Sequence, residues 1–527
     1  MPRWQWGVAF ALWAGCGQAS PELDTTRLPL DALTPDDPYF GDQWTLHNEG
    51  PFTTADGRGD ILGADHAHVA EAWQLLVRLG LADGVGDMGR DVRLAVLDDG
   101  FDLAHPDLAD SVVASINLGG AVEPDNLFSD TSPADSHGTL VAGIALARGD
   151  NGEGIAGACP ACGLVGVRIT ADPEALGLER HEHYRGMFEA AMEADPDIIH
   201  ASWGPEKDLD PELLRAALDV TDQGRGGLGT ILVFASGNDG EDFAWNALAG
   251  DPRTLAVGAS DSLGRRHAFS NYGQALDLLA PTSGAEKSGG GFGPSVYIDR
   301  IWTTDNYLAP GCLALGATPS SSCSGQAGLT PNGPVAGGDG WVGQYSYRFS
   351  HTSSAAPLVS GVVGLMLHAN PDLTRAEVQR LLRESADPID TEAAGYDANG
   401  HSTTHGYGRV NALRAVQAAV ELAQGPLDDA VMEEIEEVSP SCPSGDCESG
   451  DAAEPAGDAV EPGASGASED GDVPAVGGPP AGGQPTTVSG DGAATGCSLE
   501  PGGQSRWTPL GWMFALLWWW WRRRVTS

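Results

Sequence analysis

The sequence predicts an α/β fold in which a mainly parallel central sheet is covered by helices on both faces. The first observation is a series of short apolar runs, which we interpret as buried strands: residues 92–97, 164–169, 197–201, 231–235 and 255–259. The second is that helical stretches separate several of these runs, at residues 181–194 and 211–222. Such alternation is typical of a parallel sheet with both faces covered. Chemistry in these sheets collects at the C-terminal ends of the strands.

Two more helices are predicted further along the chain. Thr374 and Glu377 have the spacing of a capping box, which opens a helix that extends to Leu382. Residues 410–422 form a last amphipathic helix.

Composition divides the chain of 527 residues unevenly. Residues 37–424 are well mixed and are long enough to build one large core. Residues 426–496 contain sixteen Asp and Glu and no Lys or Arg. Such a segment cannot bury enough apolar surface to offset its ordering entropy, so we predict a disordered acidic stalk over residues 425–496. Removing these sixteen charges from the net charge of −46 leaves −30, which argues against nucleic-acid binding.

Residues 1–20 have the character of a secretory signal peptide. Arg3 precedes an apolar run at residues 6–13, and small residues precede Cys16. Two interpretations remain open, namely lipid modification of Cys16 and ordinary cleavage near Ser20. Residues 21–36 then form a short N-terminal segment.

Residues 497–527 have the character of a sorting or membrane tail. An apolar, aromatic stretch at residues 507–521 is followed by three arginines at 522–524. The stretch is shorter than the roughly 20 residues of a stable span, and arginines stay cytoplasmic. With Cys497 upstream, the segment resembles the C-terminal sorting tails of myxobacterial surface proteins, and a simple tail anchor is the alternative. We expect the chain outside the cytoplasm, extracellular or at the cell surface of a Gram-negative bacterium.

Cysteine usage agrees with that compartment. Apart from Cys16 and Cys497, the cysteines fall into three local pairs: Cys159 and Cys162, Cys312 and Cys323, and Cys442 and Cys447. Export makes disulfides the expected state. The alternative for Cys159 and Cys162 is a redox motif, although no thioredoxin-like pattern surrounds them.

Three segments carry the residues of a nucleophilic mechanism. Asp98 ends an apolar strand, His137 begins an apolar helix beside Gly138, and Ser353 opens a helical run that reaches Leu367. Serine becomes a nucleophile when an imidazole takes its proton, and a buried carboxylate fixes the tautomer of that imidazole. Each residue alone is a weak indication, since Asp and Ser are also common in turns and caps. The conjunction predicts a serine hydrolase.

The order Asp, His, Ser is that of subtilisin, and residues 37–424 resemble the catalytic domain of the subtilase family, nearest its kexin-like branch. The strings that carry this resemblance are short and specific: 37–40, Gln43-Trp44, 98–108 with its His-Pro-Asp-Leu, Ser202-Trp203-Gly204-Pro205, 235–238 and 406–411. The Glu and Asp of sedolisin-like enzymes are replaced here by His137 and Asn238, which excludes that relationship.

The resemblance implies a subtilisin-like three-layer fold and a secreted serine endopeptidase that acts on polypeptides, and we expect a monomer. It implies that Asp98 orients His137, that His137 is the general base and acid, that Ser353 is the nucleophile, and that Asn238 completes the oxyanion hole. Substrate binding is expected at Ser202, Trp203, Gly204 and Lys207. A structural calcium ion is expected at Asp107 and Asn151, with Asp65 as a further ligand; a plain polar turn at residues 150–152 is the alternative.

Several departures from the family pattern bear on activity and specificity. His351 stands where the family usually has Gly. A side chain is tolerated at this position if the φ of residue 351 is negative. Lys207, after Glu206, stands where kexin-like enzymes carry an acid, and residues 243–250 contain no Asp or Glu. We therefore expect a preference for apolar or acidic residues, rather than Arg or Lys, immediately before the cleaved bond. The accessory β-rich domain and an ordinary propeptide are not expected in this sequence.

A second hypothesis, from another functional class, is a catalytically silent, surface-displayed binding module that keeps the fold. The presence of all four active-site residues favours the enzyme.

Overall fold

The computed structural model describes a large part of the chain: residues 33–48, 52–53, 60–61, 66–118, 137–169, 179–205, 207–282, 303–304, 341–342, 345–346, 349–428, 431–432 and 435. The predictions for the signal peptide, the distal part of the stalk and the tail lie outside the described residues. So do those for Asp65, Glu206, Cys312, Cys323, Cys442, Cys447 and Cys497.

Among the described residues, a parallel sheet of seven strands forms the centre of the fold. Its strands are β1 Arg93–Asp98, β2 Val112–Asn117, β3 Gly163–Arg168, β4 Ile198–Ala201, β5 Ile231–Ala235, β6 Thr254–Ser260 and β7 Leu278–Pro281. They are arranged in the order β2-β3-β1-β4-β5-β6-β7. Short antiparallel ladders pair Phe52–Thr53 with Asp60–Ile61, and Tyr345–Ser346 with both Thr303–Thr304 and Trp341–Val342.

Helices cover both faces of this sheet. The α-helices are α1 Val69–Arg78, α2 Pro106–Ala109, α3 His137–Leu146, α4 Arg180–Met192, α5 Pro211–Ala217, α6 Thr352–Ala369, α7 Arg375–Ser385, α8 Thr391–Ala394 and α9 Ala412–Gln424. Short 3-10 turns occur at Phe40–Asp42, Val85–Asp87, Leu218–Thr221 and Arg225–Gly227.

Alternation along each strand separates two cores. On β1, Leu94 and Val96 belong to the core shared with α1, α3, α6, α7 and α9. Ala95 and Leu97 point to the opposite face and belong to the core shared with α4 and α5. Because successive side chains of a strand alternate between faces, an apolar strand buried on both sides produces three layers. The predicted α/β three-layer fold is therefore confirmed.

The long helix α6 runs through the larger core. It is the one helix in the described part of the chain that is apolar and long enough to cross a bilayer, but 89% of it is buried within the fold. Its burial identifies it as a core helix.

The sheet order determines where functional residues meet. Strands β1, β4 and β5 are neighbours. Asp98 ends β1, Ser202 follows β4, and Asn238 comes three residues after β5. The N-terminus of α6, which packs against these strands, brings Ser353 to the same edge. This edge is where parallel sheets place their ligand sites.

Candidate active site

Asp98 and His137 are in direct contact. The Asp98 carboxylate is 3% exposed, and its Oδ1 lies 2.9 Å from His137 Nδ1. The first turn of α3 approaches the end of β1 closely because residue 138 is Gly: a Cβ there would lie 2.4 Å from the Gly100 carbonyl oxygen. Gly138 also donates its backbone N–H to Asp99 Oδ1 at 3.1 Å. The sequence thus folds so that a buried carboxylate holds one nitrogen of a histidine ring.

The electrostatic environment of His137 favours its charged form. Burial opposes protonation, but the charge and hydrogen bond of Asp98, assisted by Asp99, outweigh it and raise the pKa of His137 to about 9. The ring is 33% exposed, so water screens part of this interaction. The ring becomes available as a general base only as the pH rises through its raised pKa.

Ser353 lies in the first turn of α6, after Thr352. Its Oγ donates to the Ser202 carbonyl oxygen at 3.3 Å, and no hydrogen bond joins it to His137 within the described contacts. The backbone N–H groups of a first helical turn have no partner in their own helix. The Ser353 N–H has no acceptor among the described residues, and it lies at the positive end of the helix dipole.

Asn238 is held by the residue that precedes Ser353. Its Oδ1 accepts the Thr352 backbone N–H at 3.0 Å and the Thr352 hydroxyl at 2.8 Å. An N–H can only donate, so this bond identifies the oxygen and fixes the orientation of the amide. The Asn238 Nδ2 group then faces away from Thr352 as a donor beside the start of α6.

A buried polar chain that the sequence analysis missed supports this arrangement. His200, fully buried on β4, lies 2.8 Å from Ser360 Oγ and 2.7 Å from Ser202 Oγ, and Ser202 Oγ donates to the Ser353 carbonyl at 3.1 Å. Burial lowers the pKa of His200 to about 3, so the ring is neutral. The chain forms when Ser360 donates to His200 rather than to the Ala356 carbonyl 3.5 Å away, His200 donates to Ser202, and Ser202 donates to the Ser353 carbonyl.

His351 has a strained backbone. Its φ is 72° and its ψ is −172°, a region almost restricted to glycine, so the tolerant negative φ is not adopted. The ring lies 2.7 Å through Nδ1 from Ser350 Oγ, with its centroid 4.5 Å from that of Phe269. The His351 ring is therefore packed against Ser350 and Phe269 while its backbone is strained, two residues before Ser353.

The segment Ser202, Trp203, Gly204 is fixed from two sides. Trp203 donates its indole N–H to the Leu97 carbonyl at 2.6 Å, so it anchors the segment to β1. A Cβ on Gly204 would lie 3.0 Å from Asn246 Nδ2 and 4.0 Å from the Trp245 ring. Residues 245 and 246 thus pack closely against Gly204.

Lys207 has both a charged and an aromatic partner. It forms an ion pair with Glu241, and its Nζ lies 4.7 Å from the centroid of the Trp245 ring. Trp245 Nε1 also donates to Glu241 Oε1 at 3.1 Å. Glu241 lies two residues before the acid-free stretch 243–250, was not predicted from the sequence, and balances the charge of Lys207.

A second group of carboxylates lies beside α2. Asp107 is fully buried; its Oδ1 accepts from Asn151 Nδ2 at 3.0 Å and its Oδ2 from the Ile155 N–H at 3.1 Å. The oxygen of Asn151 accepts the Glu153 N–H at 2.8 Å. The structure therefore brings Asp107 and Asn151 together, with the amide nitrogen of Asn151 toward the carboxylate.

Asp37 joins this group, although the sequence analysis did not assign it. It is 4% exposed, its Oδ2 accepts the Asp150 N–H at 2.7 Å, and its Oδ1 has no hydrogen-bond partner in the described part of the chain. Burial raises the pKa of Asp37 to about 6. Burial, with the charge of Asp37 as a smaller contribution, raises the pKa of Asp107 to about 6 as well.

Known proteins are similar to this chain in sequence and in fold. The chain is 30% identical over 408 residues to the "Calcium-dependent protease" of Nostoc sp., a match that covers 74% of this chain and 53% of the relative. It is 28% identical over 401 residues to the human "Proprotein convertase subtilisin/kexin type 6", covering 72% of this chain and 34% of that protein. The chain thus spans about half the length of the first relative and about a third of the second.

The serine protease of Aeromonas sobria has the same fold, with a TM-score of 0.54 and 23% sequence identity; the match covers 80% of this chain and 73% of that one. The profile of the subtilase family, peptidase family S8, matches residues 89–410. This range contains Asp98, His137, Asn238 and Ser353, and the chain belongs to the subtilase family.

Proposed function

We propose that this chain is a serine endopeptidase that hydrolyses peptide bonds through Asp98, His137 and Ser353. The contact that carries the proposal is the 2.9 Å bond between the buried Asp98 and His137, next to a serine at a helix N-terminus. Turning Ser353 Oγ from the Ser202 carbonyl toward His137 completes the pair. Catalytic hydrogen bonds are often long or misaligned without substrate.

The mechanism follows from these positions. His137 takes the Ser353 hydroxyl proton as Oγ attacks the substrate carbonyl carbon, and it gives that proton to the leaving amine. Asp98 holds the ring and stabilises its positive charge. The Asn238 amide and the Ser353 N–H donate to the oxyanion. Water then releases the acyl group by the same proton transfers in reverse order.

Paired substitutions test this proposal. Ser353→Ala and His137→Ala should each remove nearly all peptidase activity, and the double variant should lose little more, because triad members act as a unit. Ser354→Ala, which changes the buried neighbour, is the control. Activity of Ser353→Ala within about tenfold of wild type would identify a different nucleophile. A wild type without hydrolytic activity would favour the silent binding module.

We propose that Asp37 and Asp107 hold a structural calcium ion, with Asn151 beside them. Two buried carboxylates with raised pKa values suit a hard cation that prefers oxygen ligands. The Nostoc relative is named a calcium-dependent protease, which supports calcium as the ion without indicating its ligands. The ion would supply positive charge that stabilises the ionised pair.

The pH dependence of the melting temperature tests the calcium site. Without calcium, each raised pKa stabilises the fold at low pH, and this contribution is lost as pH rises through about 6. Calcium binds the ionised pair, so the difference between melts in calcium and in chelator should widen as pH rises through that value. Identical melting temperatures in calcium and in chelator at pH 8 would contradict the calcium site.

We also propose export to the cell surface, with the stalk as a spacer and residues 497–527 as the anchoring or cleaved tail. The Cys159–Cys162 disulfide supports an oxidising compartment. Replacing Cys497 and the arginines at 522–524 with Ala should mislocalise the protein. Unchanged surface display would contradict a sorting role for the tail.

A further inference from the structure

Three histidines and one glutamate meet outside the active site, where the segment after Trp44 contacts the start of α1. This histidine cluster consists of His47, His66, His68 and Glu71. Glu71 is 1% exposed and His66 is 2% exposed, whereas His47 and His68 retain more contact with water. Buried polar side chains of these types are the usual ligands of transition metals.

The three rings converge on one carboxylate oxygen. Glu71 Oε1 lies 3.4 Å from His68 Nδ1 and 3.6 Å from both His47 Nδ1 and His66 Nε2. These separations exceed the roughly 2.7–3.2 Å of ordinary N–H to O hydrogen bonds. Tetrahedral ligands at about 2.0–2.1 Å from one zinc ion lie about 3.4 Å apart. The distances therefore fit ligands of a shared ion better than hydrogen-bonded partners.

The mutual arrangement of the ligand atoms agrees with this interpretation. The ligand atoms of His47, His66 and Glu71 all lie within 4.8 Å of one another. His68 adopts a left-handed backbone, with φ 55° and ψ 40°, and its ring faces Glu71 one turn further along α1. Its Nε2 lies 3.9 Å from Asp387 Oδ2, too far for a hydrogen bond.

We propose that the histidine cluster binds one divalent transition-metal ion of the zinc class through His47, His66 and Glu71, with His68 Nδ1 beside Glu71 at 3.4 Å. Nitrogen donors favour zinc over calcium, which prefers oxygen. Because Glu71 and His66 are almost fully buried, substrate has no access to the ion, and the ion is structural. It ties the segment around His47 to α1, independently of the peptidase mechanism and of the calcium site.

Binding requires a change of tautomer at His66. The His68 backbone N–H donates to His66 Nδ1 at 3.2 Å, so the neutral ring carries its proton on Nε2, facing Glu71. A metal on Nε2 requires the tautomer with the proton on Nδ1, so the ring gives up the hydrogen bond from His68 when it binds the ion.

Metal titration of the full chain tests the proposal. We would use Ser353→Ala protein to prevent autolysis, keep calcium in excess, and remove zinc with a zinc-selective chelator. The expected result is one zinc ion per chain by calorimetry and elemental analysis, a higher melting temperature, and the visible absorption of tetrahedral cobalt when Co²⁺ replaces zinc.

Variants locate the ion. Glu71→Gln and His66→Asn should weaken zinc binding by at least about 100-fold, since even residues behind metal ligands contribute roughly 10- to 100-fold. His181→Asn, on α4 at the opposite face of the sheet, should leave binding unchanged. Absence of stoichiometric zinc in the parent protein would overturn the proposal. A zinc affinity of Glu71→Gln and His66→Asn equal to that of the parent protein would overturn it as well. If Glu71→Gln does not fold, the parent stoichiometry and cobalt spectrum still decide.

Discussion

The side-chain oxygen of Asn238 accepts the backbone N–H of Thr352 at 3.0 Å, so the residue before Ser353 fixes the direction of the Asn238 amide. This bond joins the end of β5 to the start of α6. It places two N–H donors, one from a side chain and one from a helix terminus, at the same edge of the sheet.

Asn238→Asp separates the two functions of this side chain. The aspartate keeps an acceptor for Thr352 but loses the amide donor. We expect kcat to fall roughly 100- to 1000-fold with little change in KM, as for loss of one oxyanion donor. Asn238→Ala loses the acceptor as well and should melt at a lower temperature than Asn238→Asp. A kcat of Asn238→Asp within tenfold of wild type would contradict the oxyanion role.

His200 and Ser202 should act on catalysis as one unit, because the hydrogen bond of His200 reaches Ser353 only through Ser202. His200→Ala and Ser202→Ala should each lower kcat by about tenfold, the equivalent of roughly one hydrogen bond. The double variant should lose little more. Independent, additive losses in kcat would show that His200 contributes only to stability.

The strain at His351 predicts opposite outcomes for two small replacements. Gly accepts φ 72° and ψ −172° readily, whereas Ala does not. We expect His351→Gly to exceed His351→Ala in the free energy of unfolding by about 1–3 kcal/mol. Chemical denaturation of the inactivated proteins measures this difference, and both variants lose the contact with Phe269. Equal stabilities would show that the backbone relaxes.

We expect the pair of Lys207 and Glu241 to control whether a basic substrate side chain meets a free carboxylate. Removing Lys207 exposes Glu241 beside Trp245, so Lys207→Ala should shift a peptide-library profile toward Arg or Lys. Glu241→Gln in the same background should abolish the shift. Strong selection for Arg or Lys by the wild type would contradict the expected apolar or acidic preference.

Much of the fold followed from apolar periodicity. The buried central strands and the capping box of Thr374 and Glu377 were predicted, and the structure contains them. The outer strands β2 and β7 were missed. β2 is partly exposed along its length and so lacks a continuous apolar run, and β7 is four residues long and ends in Pro281.

Active-site residues that belong to short sequence motifs could be predicted. Residues that act through partners distant in the sequence could not. Asp98 and His137 lie in motifs, and the structure brings them together. His200, Asp37 and Glu241 carry no local signal, since an isolated buried histidine or a surface acid is ordinary. Each has a partner 34 to 160 residues away, and only the folded chain reveals it.

The rate at which a fluorophosphonate probe labels Ser353 tests the catalytic account most directly. The probe reacts only with a serine activated by its base. We expect labelling of natively folded protein at Ser353 alone, with a rate that rises with pH to a midpoint above the ordinary histidine value of about 6.5, because Asp98 raises the pKa of His137. Labelling at another serine, or none at any pH, would contradict the proposed triad.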